Sequence, residues 1–229
     1  MMANRTRLIT VKNEFVADLI SAHGLFHAVA SLADKKKTYD AIQGWEPLHP
    51  AQARRVMALA FMNTVNAWEN FVESTFIRYM AGARSPNGYQ PTLRAGPCAS
   101  LQHAGQLLKC SIGFSFESDY LSWSSWTAVT NRAKLFFAHG RPFSSIHDRD
   151  LTKLQLAVSI RNRVAHSSKK ARADFVKVAK QYTGRTTLRQ GYDVGNLLLE
   201  KPRTAKSAAD SCFDDFFSVF VALADTIAP

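Results

Sequence analysis

A continuous apolar stripe from residue 50 to residue 80 constrains the fold more than any other feature of this chain. Its members recur every three or four residues: Met57, Phe61, Val65, Trp68, Val72, Phe76 and Tyr79. That spacing places their side chains on one face of an α-helix. Pro50 suits the first turn of such a helix, because a backbone N–H is not needed there. The stripe therefore predicts one long amphipathic helix over residues 50–80.

Helical periodicity also dominates the rest of the chain. Further helices are predicted over residues 11–33, 117–139, 148–166, 171–182 and 205–227. The last of them should bury Phe213, Phe216, Phe217, Phe220 and Leu223. Trp123 and Trp126 lie three apart among other apolar residues, so we expect them in the core or at a dimer interface. No strand pattern competes, and the predicted fold class is all-α, a helical bundle in a single domain over residues 1–229.

Two segments interrupt the helical pattern. Residues 82–116 contain prolines at positions 86, 91 and 97 together with several glycines. We interpret them as a long irregular insertion between the second long helix and the later helices, with a short helix around 100–109. Residues 183–204 are polar and contain Gly191, Gly195 and Pro202. They predict a loop that leads into the C-terminal helix.

Neither the cysteines nor the histidines have the spacing of a metal site. The three cysteines are far apart in the sequence, at Cys98, Cys110 and Cys212. Their odd number and lack of a Cys-x-x-Cys pair favour a reducing compartment over a disulfide framework. His23 and His27 lie four apart, but Gly24 stands where a metalloprotease helix needs Glu. We interpret that pair as structural and expect neither a metal nor a cofactor.

The N-terminal region has some features of a targeting sequence, because basic residues precede an apolar run. Asp18, His23 and His27 interrupt that run, and its spacing is helical, so a signal peptide is not predicted. No stretch approaches the roughly 18 uninterrupted apolar residues of a membrane span. We expect a soluble cytoplasmic protein without a membrane partner.

The positive charge of the chain is concentrated in one region. The formal net charge is +11, and residues 161–189 contain nine Lys or Arg against the single acid Asp174. A basic field of this density attracts a polyanion such as RNA, although a solvated helix face has the same composition. The candidate RNA-binding residues are Arg163, Lys169, Lys170 and Arg172.

The same region begins with a potentially catalytic trio, Arg161, Asn162 and His166. On a helix, Asn162 and His166 share a face and Arg161 lies one position aside. A fixed cation, an amide and an imidazole can bind a phosphodiester and transfer its protons without a metal.

Two charged residues, Glu69 and Arg161, lie on apolar faces of their predicted helices. An unpaired buried ion costs several kcal/mol, on the order of the stability of a small domain, so each needs a partner. We predict that the two helices pack together and that Glu69 contacts Arg161 or Asn162. Glu69 would then either orient a catalytic cation or form a purely architectural salt bridge.

Residues 161–166, Arg-Asn-Arg-Val-Ala-His, resemble the Arg-x(4–6)-His signature of the HEPN superfamily. Residues 54–72, which include Ala-Trp-Glu-Asn-Phe-Val, resemble the long helix of the HEPN branch found in bacterial defence and toxin-like loci. The resemblance covers residues 50–80 and 117–182, with 82–116 as an insertion.

The resemblance implies a metal-independent endoribonuclease that acts as a homodimer, with two copies of the motif in one interfacial cleft. Arg161 would stabilise the scissile phosphate, and His166 would be the general base or acid in attack by the ribose 2′-OH. Asn162 would hold the phosphate or the imidazole, and Glu69 would support Arg161. The products would be a 2′,3′-cyclic phosphate and a 5′-OH, and dependence on the 2′-OH would make RNA the substrate.

The sequence departs from the family at one regulatory position. Some family toxins have a Tyr two residues after the His, which a partner antitoxin nucleotidylates, whereas this chain has Ser168. An antitoxin or another defence-system protein remains a candidate partner, but not by that route. The alternatives to an RNase are a non-catalytic HEPN-like module that binds RNA or protein, and a structural protein in which Glu69 and Arg161 only bridge helices.

Overall fold

A computed structural model of the chain describes residues 7–33, 48–116, 121–203 and 209–229. The regular secondary structure of these residues is predominantly α-helical. The α-helices in chain order are α1 Leu8–Ala33, α2 Pro50–Met80, α3 Leu101–Lys109, α4 Trp126–Phe136, α5 Asp148–Ala165, α6 Lys169–Thr183, α7 Val194–Leu199 and α8 Cys212–Ile227. Two short 3₁₀ turns cover Ala138–Gly140 and Phe143–Ser145. Extended pairing in the described residues is limited to one isolated bridge between Leu93 and Phe137. The all-α prediction is confirmed for these residues.

The long apolar stripe and the short helix of the insertion were predicted correctly. Helix α2 has the predicted bounds, and α3 forms within the otherwise irregular residues 82–116. Helix α1 begins three residues earlier than predicted, at Leu8, and α6 extends the predicted helix slightly at both ends. Helix α5 begins at Asp148 and ends one residue before His166.

Two predicted helices were too long at their N-termini. Helix α4 begins only at Trp126, because the Ser125 hydroxyl caps it by accepting a hydrogen bond from the Ala128 amide. Helix α8 begins at Cys212, because the Ser211 hydroxyl likewise accepts from the Asp214 amide at 3.1 Å. The predicted helix 117–139 was also too long at its C-terminus, because α4 ends at Phe136 and the backbone of Phe137 is extended. The predicted helical positions 117–120 and 205–208 lie outside the described residues.

The predicted loop 183–204 contains a helix that the sequence analysis missed. Helix α7 is short, and its N-terminus is a capping box in which Asp193 and Asn196 each bond to the other's backbone amide. Reciprocal capping satisfies two of the amides that have no partner within the helix, which helps so short a helix to form.

The chain divides into two compact units, neither of which is a single stretch of sequence. Unit 1 comprises the described residues of Met1–Ala17, Ala67–Gln155 and Phe220–Pro229. Phe76 is the centre of its aromatic core, with ring centroids 4.8 Å from Phe143 and 4.9 Å from Phe137. The hydroxyl of Tyr79 donates to the carbonyl of Ile227 at 2.8 Å. Trp123 and Trp126 are buried in this unit, as predicted.

Unit 2 comprises the described residues of Asp18–Asn66 and Leu156–Val219. Phe213 stacks on Phe26 with centroids 4.3 Å apart and meets the edge of Phe61 at 5.9 Å. Tyr182 stacks on Phe216 at 5.0 Å and donates its hydroxyl to the buried carboxylate of Asp215. Of the five apolar residues predicted to be buried by α8, Phe217 is only half-buried.

Two observations on the described residues relate to the predicted cytoplasmic location. None of the described helices combines the length and the apolar character that crossing a membrane requires. Cys98, Cys110 and Cys212 are all free thiols, and two of them are buried. The predictions of a cytoplasmic location and of a single domain stay predictions.

Candidate nucleic-acid interface

The motif residues lie at the C-terminal end of α5. Asp148 and Asp150 occupy the first turn, where negative charge is favourable to the helix dipole. The helix ends at Ala165, and the amide of His166 closes its last turn by donating to the Asn162 carbonyl at 2.9 Å. Ser168 then caps α6, because its hydroxyl accepts a hydrogen bond from the Ala171 amide at 3.2 Å. His166 therefore lies in a short break between two helices.

Two hydrogen bonds organise the motif itself. The Arg161 guanidinium donates through Nη1 to Oδ1 of Asn162 at 3.0 Å, and both side chains are half-buried. The Arg163 guanidinium donates to the backbone carbonyl of His166 at 3.2 Å. His166 itself is exposed. Asn162 thus contacts the guanidinium of Arg161, and Arg163 fixes the backbone beside the imidazole.

Glu69 is buried on α2, with 9% of its surface exposed. This burial confirms that a charged residue lies on the packed face of the long helix. Glu69 belongs to unit 1, whereas Arg161, Asn162 and His166 belong to unit 2. The expected contact between Glu69 and Arg161 or Asn162 stays a prediction.

A cleft of about 530 Å³ lies beside the motif within unit 2. The start of α2, the end of α5 and the turn into α7 form it, and its cations are Arg54, Arg55 and Arg163. Arg54 forms a salt bridge with Asp193, with 3.0 Å between Nε and Oδ2. The backbone of α7 lies so close to α2 that a Cβ on Gly195 would be only 2.4 Å from Cβ of Arg54. Glycine at this position allows α7 to lie this close to α2.

A second cleft, of about 620 Å³, continues from the first along α6 and residues 187–193. Arg163, Tyr192 and Asp193 line both clefts, so the two are adjacent, and we call them together the basic groove. Its charged lining residues are six cations and one carboxylate, namely Arg54, Arg55, Arg163, Arg172, Lys180, Arg189 and Asp193. Because the carboxylate is already paired with Arg54, about five positive charges remain for an anionic ligand.

An aromatic pair lies in the basic groove among these cations. Phe175 and Tyr192 stack with ring centroids 6.3 Å apart and an interplanar angle of 27°. Burial raises the pKa of the Tyr192 hydroxyl well above its usual range, and the nearby Glu200 carboxylate adds to this shift. Tyr192 therefore stays neutral at physiological pH and adds no negative charge to the groove.

The four candidate RNA-binding residues do not all lie in the groove. Arg163 and Arg172 line it, whereas Lys169 and Lys170 are not among its lining residues. Lys170 forms an exposed salt bridge with Asp174 at 2.6 Å, and this hydrogen bond lowers the pKa of the Asp174 carboxyl. Both lysines stay predictions as RNA contacts.

Sequence analysis missed several residues of the groove. Lys180 and Arg189 lie in the basic run but were not singled out, and Tyr192 follows it. Arg54 and Arg55 belong to a different helix, and the Arg-Arg pair at its N-terminal end was the available signal. Their proximity to Arg163 is a tertiary contact that no local pattern reveals.

One group of metal-ligating side chains stands out among the described residues. His23, His27 and Asp214 place one donor atom each within 4.8 Å of one another. None of them lines the basic groove.

The HEPN resemblance depends on residues 50–80 and 117–182 of the sequence. The structure adds an all-α fold of the described residues and a groove of cations beside the motif, and neither feature is specific to that family. The chain matches no family model, no curated protein and no solved structure.

Proposed function

We propose that the chain binds RNA in the basic groove and cuts it as a metal-independent endoribonuclease of the HEPN type. The observation that carries the proposal is the position of Arg163. It lines both clefts, it follows Arg161 and Asn162 directly in the sequence, and it holds the backbone of His166. An RNA backbone bound along the groove would therefore pass the motif. In a cell, such an enzyme would act in the cytoplasm as a toxin or a phage-defence effector.

The chemistry needs a base, an acid and a stabiliser of charge on phosphorus. The exposed imidazole of His166 accepts the proton of a ribose 2′-OH, and the 2′ oxygen attacks the adjacent phosphorus. The Arg161 guanidinium, oriented by Asn162, stabilises the charge that develops on the phosphoryl oxygens. The 5′ oxygen leaves with a proton, giving a 2′,3′-cyclic phosphate and a 5′-OH. A homodimer would supply a second imidazole as the acid, and Glu69 would support Arg161.

The test is an RNA cleavage assay in EDTA, comparing the wild type with His166→Ala. We expect cleavage of tRNA or mixed RNA by the wild type, products ending in a cyclic phosphate, and a loss of 100-fold or more in His166→Ala, since general acid–base catalysis typically contributes about 10²–10⁴-fold. An RNA with 2′-deoxyribose at the cut position should resist. His147→Gln is the matched control, because this exposed histidine lies outside the motif and the groove. Equal cleavage by wild type and His166→Ala would refute the proposal.

A specific observation favours a second function, a non-catalytic module that binds RNA or a protein partner. The cations of the groove converge, but neither Arg161 nor His166 is among its lining residues. Binding alone would then use the groove, and the motif would be structural. In that case RNA affinity should fall with salt, survive His166→Ala, and be accompanied by no product.

A further inference from the structure

The strongest unassigned cluster in the described residues joins α1 to α8 within unit 2. His23 and His27 lie one helical turn apart on α1, and Asp214 lies in the first turn of α8. The Oδ1 atom of Asp214 is 2.8 Å from Nε2 of His23 and 2.9 Å from Nε2 of His27. The two Nε2 atoms are themselves 3.1 Å apart. Three donor atoms thus form a nearly equilateral triangle.

Hydrogen bonds alone satisfy this triangle poorly. The three distances give an angle of about 66° at Oδ1, whereas the two lone-pair directions of a carboxylate oxygen diverge by about 120°. If both Nε2 atoms carry a proton, two N–H groups crowd one oxygen. If one lacks its proton, its lone pair faces either the carboxylate or the other ring. A cation that faces all three atoms removes this conflict, because each can then offer it a lone pair.

The triangle has the dimensions of three ligands on one face of a metal ion. Imidazole nitrogens and carboxylate oxygens lie about 2.1 Å from a divalent transition metal. Neighbouring ligands are then about 3.0 Å apart in an octahedral site and about 3.4 Å apart in a tetrahedral one, by simple geometry from that bond length. The observed sides of 2.8, 2.9 and 3.1 Å fit the octahedral spacing. Two histidines and one carboxylate on one face form a known metal-binding arrangement with open positions opposite.

The surroundings hold each ligand in place. The hydroxyl of Ser211 donates to the other carboxylate oxygen of Asp214 at 2.6 Å, which leaves Oδ1 facing the imidazoles. The ring of His23 packs on Phe217 with centroids 4.5 Å apart, and Phe26 meets the ring of His27 edge-on at 5.1 Å. Groups that support metal ligands in this way raise affinity, because the ligands need little rearrangement on binding.

The accessibility of the cluster suits metal entry. The side chains of His23 and His27 are 31% and 49% exposed, and that of Asp214 is 19% exposed. An ion can therefore reach the donor atoms from solvent and keep water on its open positions.

We propose that His23, His27 and Asp214 bind one divalent first-row transition-metal ion, with its remaining coordination positions open to water. Sequence analysis interpreted the histidine pair as structural and expected no metal, because Gly24 stands where a metalloprotease helix needs Glu. The third ligand, Asp214, lies 187 residues after His27, so local spacing does not indicate it. The site is independent of the proposed RNA cleavage, since it shares no residue with Arg161, Asn162 and His166. RNA cleavage in EDTA is still expected.

The experiment uses the full-length, untagged chain, stripped with EDTA, exchanged into chelator-free buffer and titrated with Co²⁺ and then with Zn²⁺. We expect one ion per chain, visible d–d absorption bands with Co²⁺, and displacement of Co²⁺ by Zn²⁺. Metal-shifted proton resonances from two imidazoles should appear in the Co²⁺ form of the wild type, a measurement that needs no variant. The melting temperature of the wild type should rise with Zn²⁺, because the ion binds the folded state.

The variants His27→Gln and Asp214→Asn should each weaken Co²⁺ binding by 100-fold or more. His147→Gln is the matched control and should bind as the wild type does, because this exposed histidine is not part of the cluster. Circular dichroism of each variant verifies that it is folded. The proposal is overturned if the wild type shows no saturable binding of one ion per chain. It is also overturned if binding persists unchanged in both folded variants.

Discussion

Replacing Arg172 and Arg189 together by glutamine should weaken RNA binding and flatten its dependence on salt. Both side chains are exposed and line the basic groove. With about five available charges, the logarithm of the binding constant for single-stranded RNA should fall with a slope of about −3.5 against the logarithm of salt concentration. Affinity should then drop about 130-fold between 50 and 200 mM salt. With two charges removed the slope becomes about −2.1 and the drop about 20-fold.

The assay is fluorescence anisotropy with a labelled single-stranded RNA, measured at four or more salt concentrations. His166→Ala serves as the background so that the probe stays intact. The matched control is Arg84→Gln with Arg149→Gln, which removes the same net charge from exposed positions in unit 1, outside the groove. The control should keep a slope near that of the background protein.

Equal slopes for the two double variants would refute the groove as the RNA-binding surface, because overall charge alone would then explain the affinity. If Lys169→Gln combined with Lys170→Gln weakens RNA binding more than the groove variant does, the RNA contact lies instead on the exposed start of α6. Each of these results discriminates the groove from a general basic field.

Two further predictions concern the packing of unit 2. Gly195→Ala should destabilise the fold by about 1–3 kcal/mol in urea denaturation, because its Cβ would overlap Arg54; Gly24→Ala, where a Cβ meets nothing within 4 Å, should stabilise by about 0.5–1 kcal/mol. Similar effects of the two alanines would contradict the close approach of α7 to α2. Tyr182→Phe should cost about 1.5–3 kcal/mol by the same measurement, because it removes a hydrogen bond to the buried Asp215 carboxylate. A loss below about 0.5 kcal/mol would show that this bond contributes little.

Sequence analysis predicted the bounds of a helix most accurately where its apolar pattern is long and regular. Helix α2 was predicted to the residue, because its stripe runs through the whole element and Pro50 marks its start. Helices α4 and α8 start later than periodicity indicates, because Ser125 and Ser211 cap them. The spacing of apolar residues indicates which residues face the core, whereas an N-cap depends on a single hydrogen bond between a hydroxyl and a backbone amide. Helix α7 is too short to show a period at all.

The candidate site was predictable only where its residues are neighbours in the sequence. Arg161, Asn162 and His166 form a visible local pattern, and Arg163 and Arg172 follow in the same basic run. The groove also needs Arg54 and Arg55, and the metal-ligand cluster needs Asp214, which come from distant parts of the chain. Such contacts depend on how helices pack, and no local spacing records them.

The discontinuity of the two units has a consequence for how this protein can be dissected or inherited. Helices α1, α2, α5 and α8 each contribute residues to both units. A cut at any unit boundary therefore breaks a continuous ladder of i to i+4 hydrogen bonds and leaves backbone groups without partners. No contiguous segment of the sequence corresponds to either unit alone. Recombination of one contiguous segment therefore cannot transfer either unit without also transferring part of the other.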